Sequence, residues 1–314
     1  MNRLLCSAVV LSVVWNQGVP AQADYVYRTF DPPGASFSSA TGINNSSEIV
    51  GGYTEAGNHG FLFSGGSYTT VEPPGVDSSV AVRNNDSGQI VGLYTSGGTI
   101  RPHGFLLSGG SYTLLNVPGS SDTVAQGINS SGQIAGFYDV GDKTYGFLLS
   151  GGTYTMLNVP GSTATEAYGI NNVGQIVGQY FNGSRNLGFL LSGGSYTMLN
   201  FPGSTETVAN GINNAGQIVG FYYDAAGRLH GFLLSDGTYT TVDVPGAGTT
   251  LALGLNDAGL VVGYYEMNGP FFNEHSFLAT PTPEPCNLLL LGIGVLAILA
   301  YGWRKRRVIS GVSA

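Results

Sequence analysis

The chain repeats itself six times at a period of about 43 residues, and nothing else in it restricts the fold so strongly. Gly-Phe-Leu recurs at Gly60, Gly104, Gly146, Gly188 and Gly231, and Ser276-Phe277-Leu278 is a sixth copy. Pro-Gly ends at Gly34, Gly75, Gly119, Gly161, Gly203 and Gly246. An Ile-Val-Gly-x-Tyr-like string ends at Tyr53, Tyr94, Tyr138, Tyr180, Tyr222 and Tyr265. Each copy holds four short apolar strings, A to D, parted by turn residues. In the fifth copy they run over 209–213, 217–222, 231–234 and 239–244. Strings of four to six residues between Asn and Gly turns indicate antiparallel hairpins, and four strands in this length match one propeller blade.

The two ends of the repeat region are complementary. Residues 25–33 align only with string D, whereas 252–256, 259–265 and 276–279 align with A, B and C. Pairing them closes a ring and removes open sheet edges. The expected fold is therefore all-β: a six-bladed β-propeller of four-stranded antiparallel blades over 24–280, its N-terminal strand closing the last blade. An open β-solenoid is the alternative, and in it the split repeat has no purpose.

Composition agrees with this reading. Fifty glycines and 10% charged residues exclude helical bundles, which avoid Gly. The 18 Tyr and 15 Phe do not suit charge-driven disorder. Phe follows the Gly or Ser of every C string, and Tyr recurs at Tyr27, Tyr68, Tyr112, Tyr154, Tyr196 and Tyr239. Rings repeated once per copy read as packing between blades, with carbohydrate stacking as the functional alternative.

The termini differ in character from the repeats. Residues 1–23 have a positive start at Arg3, an apolar run and Ala21-Gln22-Ala23, the pattern of a cleaved secretory signal. Residues 281–286 form a Pro-rich linker, 287–303 are almost wholly apolar, and 304–314 begin with Arg304, Lys305, Arg306 and Arg307. These features predict a transmembrane helix with a basic cytoplasmic tail. Cys6 leaves with the signal, so Cys286 has no internal disulfide partner.

Pro283, Glu284 and Pro285, the apolar stretch and the basic cluster together resemble the PEP-CTERM sorting signal of Gram-negative bacteria. That resemblance implies an exosortase, a membrane peptidase, as partner, with transient inner-membrane anchoring before release to the surface or exterior. The repeat resembles the HAF family of extracellular repeats through His230-Gly231-Phe232-Leu233, Val244-Pro245-Gly246 and the run from Gly211 to Gly220. It implies an extracellular repeat protein and brings no catalytic residues.

Candidate functional residues are those that break the repeat. A–B and C–D turns are nearly uniform, so the B–C and D–A loops, expected on one face, are the candidate binding surface. The B–C loops carry Arg101, Asp139, Asp142, Lys143, Arg185, Asp224, Arg228 and Glu266, and the D–A loops add Asp77, Asp122, Glu166 and Glu206. Residues 24–280 hold six basic and eighteen acidic groups, net −12, which disfavours nucleic acid and anionic lipid. His59, His103, His230 and His275 precede their Gly-Phe or Ser-Phe pairs in four separate copies, a spacing that suits structural roles and no shared metal. No nucleophile elbow, CxxC, HExxH or P-loop occurs, and no cofactor is implied.

The expected function is a secreted, non-enzymatic surface or matrix protein that binds or scaffolds exopolysaccharide or other surface proteins in a biofilm. A polysaccharide-acting enzyme using acids such as Asp139 and Asp142 is the alternative. Ice binding is a minor reading, since twisted blades offer no flat Thr array.

Overall fold

A computed structural model describes residues 25–269 and 274–282. The signal segment, the Pro283-Glu284-Pro285 motif, the apolar stretch 287–303 and the basic cluster lie outside the described residues. Among those described there is no helix, and so none long and apolar enough to cross a membrane.

The fold is an all-β propeller. Strands A to D of the first repeat are Phe37–Ile43, Ile49–Thr54, Asn58–Ser64 and Ser67–Val71, paired antiparallel in that order. The second and fifth repeats form equivalent four-stranded sheets. A fourth such sheet joins the chain ends: Tyr25–Thr29 pairs with Glu274–Pro281, in register from Tyr25↔Pro281 to Thr29↔Phe277.

The expectation of six separate four-stranded blades is corrected, while the expected transmembrane helix falls on residues outside those described. Among the described residues four sheets are four-stranded, and the third and fourth repeats share one eight-stranded sheet. The cause is the third repeat's B–C hairpin. Its strands run out to Val140↔Lys143 around Gly141 at φ +61°. Strand C, Lys143–Ser150, thereby reaches the next repeat, and Thr144 pairs in parallel with Ala164.

Aromatic rings at repeated sites fill the spaces between repeats. Phe61, Phe105, Phe147, Phe189, Phe232 and Phe277 are all fully buried. Each meets the strand-D tyrosine of its own sheet nearly edge-on, at centroid distances of 5.3 Å for Phe147–Tyr154 to 5.9 Å for Phe277–Tyr27. Burial of such rings contributes about 1.5–3 kcal/mol each.

Beneath each Phe lies the strand-B glycine. A Cβ at Gly51, Gly92, Gly136, Gly178, Gly220 or Gly263 would stand 1.9–2.1 Å from a strand-A carbonyl and 2.6–2.8 Å from the Phe ring. No rotamer change relieves a backbone clash, so these glycines are required by close approach.

The axis is closed by asparagine. The first Asn of each A–B turn donates from Nδ2 to the main-chain oxygen of its counterpart in the next repeat. Asn44 gives to Asn85 at 3.2 Å, Asn85 to Asn129 at 2.9 Å, and Asn129 to Asn171 at 3.2 Å. Asn171 gives to Asn213 at 3.1 Å, Asn213 to Asn256 at 3.1 Å, and Asn256 back to Asn44 at 3.1 Å.

Gly136→Ala is expected to cost about 3 kcal/mol by forced overpacking. Gly119→Ala has open space and only a positive φ to pay for, and should cost about 1 kcal/mol. Urea denaturation of the two variants measures the difference.

Candidate functional site: the outer grooves between repeats

Some of the predicted loop residues meet, where a B–C loop contacts a D–A loop. Asp77 accepts the Gly98 N–H at 2.8 Å, and Arg101 pairs with Asp122 at 3.0 Å. The Arg185 guanidinium donates to the Ser204 and Thr205 carbonyls at 3.2 and 3.3 Å, and Asn186 donates to Glu206 at 3.2 Å. Glu166 accepts from the Tyr168 hydroxyl and from Gln179. Asp139 accepts from Thr144 at 2.7 Å, and Asp224 pairs with Arg228 at 2.7 Å. Hydrogen bonds from Arg228, its backbone N–H foremost, hold the Asp224 carboxyl far below the ordinary range. Asp142 and Lys143 are exposed at their hairpin tip. Glu266 faces Glu274, whose carboxyl is pushed up by burial and then by that neighbour. Asp77, Arg101, Asp122, Arg185 and Glu206 tie loops to one another, Asp139 and Asp224 bond within their own hairpins, and the groups do not converge on a single centre.

A second constellation was missed by sequence reasoning. In three repeats that adjoin around the ring, strand B carries Tyr near its end, strand C carries His near its start, strand D carries Thr, and an acid follows strand D. His230 Nδ1 lies 2.7 Å from Asp243, His275 Nδ1 2.8 Å from Asp31, and His59 Nδ1 2.8 Å from Glu72. The other oxygen of Asp243 and of Asp31 accepts the strand-C backbone N–H of Gly231 and Ser276. The imidazoles lie against Tyr222, Tyr265 and Tyr53 at 5.3, 5.6 and 5.4 Å. Those tyrosine hydroxyls meet Thr241 at 3.3 Å, Thr29 at 2.9 Å and Thr70 at 3.4 Å.

The other three repeats change the set together. The second keeps His103, now 3.0 Å from Asn116, while the third and fourth place Tyr145 with Asn158 and Leu187 with Asn200. Where the first half has Thr, this half has Leu114, Met156 and Met198, each more than half exposed. The ring thus has a hydroxyl-bearing half and a thioether and aliphatic half. The signal was in the sequence: His and its partner are 13 residues apart at His59/Glu72, His103/Asn116 and His230/Asp243, with acids and Thr changing in step.

Before the first repeat, this chain of side chains borders a groove with a cavity of about 440 Å³. Pro32 and Pro33 line it together with Tyr53, Ser67, Tyr68 and Thr70. Such a volume is that of a small-molecule site. Apolar rings and hydroxyl-bearing side chains both line it, and none of its lining residues is charged.

No family model matches the chain, and no curated protein matches it. Similar solved structures are propellers at low identity. A TolB-type protein of Agrobacterium tumefaciens has a TM-score of 0.52 at 13% identity, covering 79% of this chain and 91% of that one. A lectin of Aleuria aurantia, solved with Fucα1-6GlcNAc, has a TM-score of 0.49 at 12% identity over 80% and 99% of the two chains. Virginiamycin B lyase of Staphylococcus aureus scores 0.48 at 10% identity over 82% and 100%. At these identities the likeness is one of fold alone.

The tyrosines make stability fall in alkali. Burial pushes Tyr68 up to about 12, with a smaller push from Asp31, and burial also raises Tyr154, Tyr196 and Tyr239. An unfolded tyrosine ionises near 10 while the folded one keeps its proton, so raising pH favours unfolding. The stabilisation is complete below pH 10 and lost as pH approaches 12. Absorbance at 295 nm should show phenolate forming together with loss of the near-UV circular dichroism signal.

Proposed function

We propose that the protein is a secreted, non-enzymatic surface or matrix propeller that binds neutral saccharide in the outer grooves of its hydroxyl-bearing half. The observation that carries this reading is the Thr–Tyr–His–acid set, built three times on adjoining repeats and bordering a hydroxyl-lined groove. Proline and tyrosine faces suit the apolar face of a sugar ring, and Tyr, Thr and Ser hydroxyls suit its hydroxyl edge. The uncharged groove and the acidic ring, net −12, favour a neutral glycan over an anionic one. Three copies of the side-chain set on one rigid body raise avidity for a repeating polymer. Delivery follows from the sequence signals: export through residues 1–23 and sorting by an exosortase at Pro283-Glu284-Pro285, with Arg304 to Arg307 as the inner stop.

Replacing Thr29, Thr70 and Thr241 by Leu, the residue type the second repeat already carries at Leu114, tests the binding half. Affinity electrophoresis in neutral polysaccharide should show at least a tenfold loss of binding with an unchanged melting temperature. Equal retardation of the variant and the parent would refute the site. Deleting 283–307 should alter surface retention in cell fractionation, and unchanged fractionation would count against exosortase sorting.

A further inference from the structure

One repeat breaks the axial symmetry twice in succession. Gly42, Gly127, Gly169, Gly211 and Gly254 line the axis, each so close to the next repeat that a Cβ would lie 2.6–3.0 Å from its backbone carbonyl. In the second repeat that place is taken by Arg83. The following position is Ile43, Ile128, Ile170, Ile212 or Leu255 elsewhere and Asn84 here. Both residues line a cavity of about 80 Å³ at the axis, floored by Arg83 and rimmed by the A–B turns.

The Arg83 guanidinium crosses the ring. Its Nη2 donates to the main-chain oxygens of Asn210 and Leu253, both at 2.7 Å, and Nη1 to that of Val82 at 3.3 Å. No carboxylate pairs with it among the described residues, and burial lowers its pKa to about 10. These three bonds use three of the five N–H donors of the guanidinium. Asn84 gives Nδ2 to the Glu48 carbonyl, while its buried Oδ1 has no hydrogen-bond partner. Removing a charge from water without a counter-charge is costly. A tie across the ring explains the guanidinium, but it does not explain why the adjacent apolar residue is also replaced by an amide with an unused acceptor.

We propose that the axial cavity is a binding site for a small hydroxyl-bearing oxyanion. The anion's oxygens accept from Arg83, and its own hydroxyl donates to Asn84 Oδ1. The volume holds several waters and therefore a hydrogencarbonate or a hydrogenphosphate, not a sugar. The rim carboxylates Asp86 and Asp257 are spent on neighbours: Asp86 accepts the Asn45 N–H and Nδ2 at 2.8 and 2.9 Å, and Asp257 accepts the same groups of Asn214 at 2.8 and 2.7 Å. Burial opposes ionisation of Asp257, and these hydrogen bonds, with one from Asn45, outweigh it and lower its pKa.

Melting of the full chain is followed in sodium phosphate and, separately, in sodium hydrogencarbonate, each against sodium chloride at equal ionic strength and pH. A saturable rise in melting temperature is expected with one or both oxyanions and not with chloride. Arg83→Gly/Asn84→Ile, which gives the second repeat the residues of the others, should abolish it, while the exposed-site control Arg101→Met keeps it. Asn84→Ile alone, which leaves the cross-ring tie, should raise the half-saturating concentration at least tenfold. An undiminished response in the Asn84 and double variants, or no saturable response of the parent to either oxyanion, overturns the proposal.

Discussion

Six buried asparagine side chains do two tasks at once, and the rest of the structure depends on their doing both. Within its own turn, Oδ1 of Asn44, Asn85, Asn129, Asn171, Asn213 or Asn256 accepts a backbone N–H four residues on. From the same side chain Nδ2 holds the main-chain oxygen of the next repeat. Turn formation and ring closure are thus one interaction, so a repeat that forms its A–B turn also presents the donor that seats its neighbour. Buried amides cost little when every group is paired and much when one is not, which makes the circuit a strong specifier of a single ring. Around it the strand-A glycines let backbones approach, and farther out the Phe and Tyr rings fill the widening space.

How much of this was legible in the sequence varied with how far the partner lay along the chain. The period, the four strings per copy, the aromatic sites and the Asn and Gly turns are local signals and were readable. The pairing of Tyr25–Thr29 with the C-terminal strand could be read because the missing string of the last copy stands at the other end of the chain. The asparagines read only as turn residues, since their second partner lies about one period away, or 212 residues away for Asn256. The shared eight-stranded sheet was not legible. It depends on how far one tight hairpin at Gly141 extends its strands, which is geometry and not pattern. Nor was Arg83 singled out, although aligning the copies sets it against five glycines.

The same comparison separates scaffold from function. Loop charges that stood out in the sequence mostly serve as loop fasteners, as Asp77, Asp122 and Asp224 show. What distinguishes one part of the ring from another is quieter: Thr against Leu or Met, acid against Asn, and a single Arg-Asn in place of Gly-Ile. Each substitution would be arbitrary in a purely structural ring, because the neighbouring repeats show the fold tolerates the alternative. A rigid, near-symmetric frame makes such departures readable and gives them fixed geometry.

The closed asparagine circuit is tested most directly by comparing Asn256→Ala with Asn129→Ala in urea denaturation. Asn256 makes the contact that closes the ring onto Asn44, whereas Asn129 bridges consecutive repeats. In a closed circuit both lose their backbone turn bonds and an inter-repeat bond, Asn129 losing one more to the Gln133 side chain, and each variant should be destabilised by about 2–3 kcal/mol. A cost at Asn256 less than half that at Asn129, the loss of its turn bonds alone, would mean that the ring is open and would contradict the account.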